Sequence, residues 1–281
     1  MRAFVVTVSA EEVDVSSDVL WQLGVRAIEE RSGHEGHVEL WTAVGDEAEA
    51  AERATMSMGE RWPCRIVEVV DNAADTWREF AGPMWVDDGL VVVPAWQEHV
   101  FDDDVVAIDI EPGGAFGLGD HPTTLLSLRA ARRHLGVGRD VLDVGCGTGV
   151  IAVMAALVGA SNVRAVDVAS AAVEATRDNA ERNGVAEHLD VDTTPAGDLD
   201  GVFHLVVANI LAPTLIELAD DLRRLTAPDG RLVISGVLAD RHDHVLAALA
   251  PMVAERTDVL DGWVAVTLRH PSVTAMSETT A

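Results

Sequence analysis

Residues 4–8 alternate apolar and polar positions with the two-residue period of a strand, and residues 11–23 continue with helical spacing. Strand-like stretches recur at 25–28, 38–43 and 64–70, and an acidic helical segment at 46–58 precedes the last of them. The order strand, helix, strand, strand, helix, strand predicts a small ferredoxin-like α+β domain over residues 1–75. Periodicity then fades. Over residues 76–104, Trp77, Trp85 and Trp96 alternate with Pro83, Pro94 and the run Asp102, Asp103, Asp104. This reads as a linker whose tryptophans pack against one or both domains. From 105 to 270 the pattern becomes regular again. Short apolar runs at 141–144, 163–166, 205–208, 232–234 and 264–268 are separated by helical stretches at 151–158, 171–183 and 215–225. Such alternation predicts an α/β domain with a parallel sheet covered on both faces. The polar residues 271–281 are expected to be a disordered tail.

Composition narrows the function classes. The chain has 281 residues, enough for one large domain and a smaller one. Its longest apolar run, 150–160, is too short to span a membrane. Acidic residues Glu11 and Glu12 follow the first apolar run, unlike a secretory signal, and a cytoplasmic setting is expected. Cys64 and Cys146 have neither metal-ligand nor redox spacing, so no metal site is expected. The formal net charge is −27, and all 20 basic residues are arginine. That field repels nucleic acid and attracts cationic partners. It suits a basic protein substrate, although a solubility bias or a lysine-poor composition would produce the same balance.

Three segments carry candidate chemistry. In Val141-Leu142-Asp143-Val144-Gly145-Cys146-Gly147-Thr148-Gly149 an apolar strand enters a glycine-rich turn that opens a helix. Glycines let backbone approach a ligand, and the helix N-terminus offers N–H groups and a positive dipole end. The spacing is not that of the dinucleotide fingerprint, because Val150 stands where that pattern needs glycine or alanine. The second segment ends in Asp167, 22 residues past Gly145. A strand–helix–strand unit places such a carboxylate beside the turn, where it can accept hydrogen bonds from the ribose hydroxyls of an adenosine-containing ligand. The third is Asn209-Ile210-Leu211-Ala212-Pro213, at the end of a later strand. Its amide oxygen can accept a hydrogen bond from an amino group that is to be methylated. Each segment also has a purely structural reading: a tight turn, a cap for the helix starting near Ala171, and a strand terminator.

Upstream, Glu111-Pro112-Gly113-Gly114-Ala115-Phe116-Gly117-Leu118-Gly119-Asp120-His121-Pro122-Thr123-Thr124 resembles the signature of the PrmA family, whose members methylate large-subunit ribosomal protein eleven. The resemblance continues through the glycine turn, residues 177–184, Asn209 to Ala212, Ser235 to Leu238, and Gly262 to Val264. It implies a Rossmann-like, seven-stranded methyltransferase domain, S-adenosyl-L-methionine as cofactor and ribosomal protein eleven as partner. It also implies contacts to the cofactor from Thr124, Phe116, Gly145, Gly147, Asp167 and Asn209, with Asn209 facing the methyl-transfer site as the catalytic residue. His121 is expected to shape the loop rather than act as a base. The family usually has threonine where this chain has Leu118 and Asp120. Alternatives are lysine methylation of another protein, small-molecule N-methylation, and a cofactor-binding module without activity. The substrate-recognition domain and the four intact site residues favour the first reading.

Overall fold

The computed structural model describes residues 2–9, 12–22, 28–43, 55, 58–59, 61–68, 82–111 and 121–271. The chain divides into two units, residues 1–81 and 82–281.

In the first unit, β1 (Arg2–Ser9), β2 (Glu29–Ser32), β3 (His37–Ala43) and β4 (Cys64–Glu68) form an antiparallel sheet in the order β2-β3-β1-β4. With α1 (Val13–Gln22) between β1 and β2, this is the strand order of a ferredoxin-like sheet. Phe4, Val6, Val8 and Leu40 bury one face together with Leu20, Met58 and Trp62. On the other face the Arg31 guanidinium lies 4.1 Å from the centre of the Trp41 ring and that of Arg65 5.6 Å. The second strand lies later than the apolar pattern at 25–28 suggested. Its residues Glu-Glu-Arg-Ser form an edge strand, which needs no apolar alternation, and residues 23–27 lie outside the described residues.

The second unit opens with three strands, β5 (Met84–Asp87), β6 (Leu90–Pro94) and β7 (Val106–Ile110), in one small sheet. Residues 82–104, expected to be part of a linker, therefore contain two strands, and Trp85 packs edge-on against Phe101. Leu90, Val92, Ile108 and Ile110 join the core beneath them. Residues 69–81, with Trp77, and the tail from 272 lie outside the described residues.

The large sheet contains β8 (Asp140–Val144), β9 (Asn162–Val166), β10 (Leu189–Asp192), β11 (Phe203–Asn209), β12 (Thr226–Leu238), β13 (Val253–Leu260) and β14 (Trp263–Arg269). Their order is β10-β9-β8-β11-β12-β14-β13, with β14 antiparallel to both of its neighbours. The strand–helix alternation and the parallel centre are as the sequence pattern predicts, and the seven strands match what the family resemblance implies; β14 departs from the expected parallel sheet by running antiparallel, and β10 and β13 are not marked by apolar runs. The helices are α2 (Pro122–Arg132), α3 (Val150–Leu157), α4 (Ser170–Arg182), α5 (Ala212–Glu217), α6 (Ala219–Leu225) and α7 (Asp243–Ala248). Alternate residues of the central strands bury opposite faces. Val141, Leu205 and Val207 face the cluster around α3, while Leu142, Val144, Val206 and Ala208 face Leu215, Leu222 and Val245. Burial on both faces makes the central runs continuously apolar.

Candidate active site

The chain leaves β8 for β9 on one side and returns to β11 on the other, so the crevice between the ends of β8 and β11 is the topological switch point of the sheet. Gly145, Gly147 and Gly149 follow β8 with φ of +75°, +56° and +78°, a region in which side chains are strained. A Cβ on Gly145 would stand 2.4 Å from Ile210 Cγ2. The glycine turn and the residue after Asn209 are thus packed against one another.

Asp167 follows β9. Its Oδ2 accepts the Gly147 N–H at 3.1 Å and its Oδ1 accepts the Ala169 N–H at 2.9 Å. Each oxygen retains acceptor capacity beyond these bonds. Asn209 ends β11, half-buried and in register with Ser235 of β12. Among the described residues nothing holds its side-chain amide. Just beyond, β12 bulges at Gly236 (φ +87°), where a Cβ would lie 2.3 Å from the Ile210 carbonyl oxygen. Ser235 Oγ donates to the Val264 carbonyl at 2.8 Å and lies 3.4 Å from the Thr123 carbonyl, which brings the first turn of α2 to the same edge. Thr124 in that turn is 1% exposed, and its buried hydroxyl has no partner among the described residues.

His121 caps α2 by accepting the Thr123 N–H, and its ring meets Trp263 edge-on at 5.0 Å. Phe116, Leu118 and Asp120 lie outside the described residues. Among the described residues no group of three or more His, Cys, Asp or Glu could hold a metal ion.

Asp143 received no role from the sequence. It is 1% exposed on β8, and neither carboxylate oxygen has a hydrogen-bond partner among the described residues. Burial pushes its pKa up to about 7; the Ala152 backbone N–H opposes this from outside hydrogen-bond geometry, and the Asp167 charge adds to it. Burial likewise pushes the Cys146 thiol up to about 12, with the Asp143 charge adding to the effect. Cys146 is a packed, protonated thiol rather than a nucleophile.

Residues 38–271 match the family model described as ribosomal protein L11 methyltransferase (PrmA). The chain belongs to that family. A ribosomal protein L11 methyltransferase of Exiguobacterium is 39% identical over 199 residues, which are 69% of this chain and 63% of that protein. One from Brevibacillus brevis is 39% identical over 202 residues, 70% of this chain and 64% of that protein. The matched stretch thus spans just under two thirds of these relatives. The relative from Sorangium cellulosum is 32% identical over 97% of this chain and 96% of its own. A crystal structure of the ribosomal protein L11 methylase from Lactobacillus delbrueckii subsp. bulgaricus superposes with a TM-score of 0.63 at 30% identity, covering 68% of this chain and all of the other.

A buried carboxylate and a buried hydroxyl, each without a partner among the described residues, and a turn that excludes Cβ atoms fit S-adenosylmethionine, whose ammonium and sulfonium groups are cationic. In this L11 methyltransferase family member, Asp143 was detectable in principle. A carboxylate within a strand apolar on both faces has no structural excuse.

Proposed function

We propose that this chain is an S-adenosylmethionine-dependent protein N-methyltransferase acting on lysine side chains, the N-terminal amine, or both, of large-subunit ribosomal protein L11. The reading is supported by the placement of Gly145, Asp167 and Asn209 at strand ends around the sheet's switch point, with the first turn of α2, which carries Thr124, reaching the adjacent Ser235, and by an Asp143 carboxylate that has no partner among the described residues. When bound, the cofactor supplies a methyl group already attached to a good leaving group, so the protein's work is positioning and charge placement.

Asp167 has acceptor capacity left for two ribose hydroxyls, each such bond worth roughly 1.5–3 kcal/mol. Gly145 and Gly147 let the backbone lie against the ligand. Thr124 offers its hydroxyl from α2, and Phe116 contributes from the preceding segment. Asp143 offers negative charge to a cation. Asn209 accepts a hydrogen bond from the substrate amine and aims its lone pair at the methyl carbon. The amine must be neutral to attack, and a lysine of pKa ~10.4 is mostly protonated at neutral pH. Removal of water and a neighbouring positive charge both lower that pKa. Bound at the switch point, S-adenosylmethionine would supply the methyl carbon with S-adenosylhomocysteine as its leaving group, and the amine aimed by Asn209 would give up its extra proton to water.

The net charge of −27 supports a basic protein partner rather than nucleic acid, and two cysteines without disulfide-type spacing accord with a cytoplasmic site of action. Residues 1–75 serve as the recognition domain in this reading. Among the described residues no helix is long and apolar enough to cross a membrane. Calorimetric titration of the full chain with S-adenosylmethionine tests the cofactor assignment. Saturable binding at one site per chain is expected, and its absence would remove the basis of the reading.

A further inference from the structure

Helix α4 buries a face that is polar where packing alone would make it apolar. Thr176 and Asn179 are both fully buried, and Asn183 follows one turn later on the same side. Buried polar groups require partners, and here the partners are backbone groups of two other segments. Thr176 Oγ lies 3.1 Å from the Gly147 carbonyl oxygen and 3.2 Å from Cys146 Sγ. Asn179 Nδ2 donates to the Thr148 carbonyl at 3.0 Å and to the Glu111 carbonyl at 2.9 Å, while its Oδ1 accepts the Glu111 N–H at 2.9 Å. Asn183 repeats the paired pattern on Asp109, donating to its carbonyl at 2.8 Å and accepting its N–H at 2.9 Å. The two amides thus dock the end of β7 much as a neighbouring strand would. Only Asn179 also reaches the glycine turn.

The turn needs such support. Three of its five residues are glycines at positive φ, and glycine has little conformational preference of its own. In a trans peptide the C=O and the following N–H point in opposite directions. Holding the Gly147 and Thr148 carbonyls toward α4 therefore fixes the rotation of the two peptide planes that follow. Gly149 packs so closely on Thr176 that a Cβ would lie 2.6 Å from its methyl group, which fixes their spacing as well.

We infer that Thr176 and Asn179 are positioning residues for the cofactor: from α4 they hold the carbonyls of the glycine turn so that its other side presents one fixed surface to S-adenosylmethionine. The inference rests on the cofactor assignment proposed above. Asn183, which grips β7 but not the turn, is the internal comparison.

The test is calorimetric titration of the full-length protein with S-adenosylmethionine, with the ligand-free melting midpoint measured for each variant. Thr176→Val and Asn179→Ala are expected to weaken binding about tenfold, while Thr176→Ser, which keeps the hydroxyl, stays within about threefold of wild type. Asn183→Ala is expected to lower the melting midpoint about as much as Asn179→Ala yet bind within about threefold of wild type. Equal weakening by Asn183→Ala, or wild-type affinity in Thr176→Val, would overturn the inference. If Asn179→Ala does not fold, the Thr176 pair decides it. Absence of binding in the wild-type protein would instead count against the cofactor assignment itself.

Discussion

Asp143 and Asp167 stand at the ends of adjacent strands, yet their surroundings assign them different work. Asp167 is held by two backbone N–H groups and remains open to a ligand. Asp143 is buried, with no hydrogen-bond partner among the described residues. Its carboxyl would lose its proton near 3.8 in an unfolded chain and retains it to about 7 in the fold. Between those values the folded form binds more proton, so the stability this group contributes is complete below about pH 4 and is lost as pH rises toward about 7. The melting midpoint of Asp143→Asn minus that of the wild type, without cofactor, should therefore increase across that window; a flat difference would show that Asp143 is not protonated in the fold. Asp167→Ala should weaken S-adenosylmethionine binding roughly tenfold or more, since a charged acceptor is removed. Near-normal affinity would contradict the ribose assignment. Asn209→Ala should leave cofactor affinity intact and depress turnover, whereas equal losses in both would move Asn209 into the cofactor pocket. Gly145, Gly147, Asp167 and Asn209 were nameable as candidates from the sequence because strand ends and glycines carry local signals, whereas Thr124, inside a helix, was named only through the family resemblance. Asn179 and Asn183 were not, since their partners lie 68 and 74 residues away in the chain.

The turns after β8 and β11 and the bulge in β12 behave as one assembly. Gly145 and Gly236 both leave room for Ile210, one through its side chain and the other through its carbonyl. Gly236→Ala would place a methyl group 2.3 Å from that carbonyl in a backbone conformation strained for alanine. The Asn209–Ile210 segment would have to move. Turnover is expected to fall by at least about tenfold, with a smaller change in cofactor affinity, because the displaced segment carries the proposed amine acceptor. Unchanged turnover in a folded variant would show that this bulge does not position Asn209. Legibility at this scale followed burial. The central strands β8, β9, β11 and β12 announced themselves as apolar runs. The edge strands did not: β10 has one buried residue, Val191, and β13 is mostly exposed and carries Glu255, Arg256 and Asp258. Edge strands tolerate such charge and are protected by it from pairing with other chains. The helical stretch at 215–225 proved to be parts of two helices meeting at Leu218, where apolar spacing continues while the backbone breaks.

At the scale of the whole chain the dominant quantity is charge. A net −27 with no lysine should draw a basic protein substrate toward the enzyme and should matter less to a small cofactor. Raising the salt concentration from about 0.05 M to about 0.3 M is expected to raise KM for the protein substrate several-fold, as screening shortens the reach of the field, and to leave cofactor affinity nearly unchanged. A salt-independent KM would favour the solubility explanation of the acidity. The sequence pattern placed a linker over 76–104, whereas the chain divides between residues 81 and 82 and residues 84–87 and 90–94 already form strands of the second unit. The small sheet of β5, β6 and β7 was hidden by the tryptophans and prolines around it. The most direct test of the account is mass spectrometry of unmodified ribosomal protein L11 after incubation with the full chain and S-adenosylmethionine. Mass increments of whole methyl groups, located on lysine or N-terminal amines and lost with Asn209→Ala, are the expected result. An unmodified L11 in the presence of a chain that demonstrably binds the cofactor would contradict the proposed substrate.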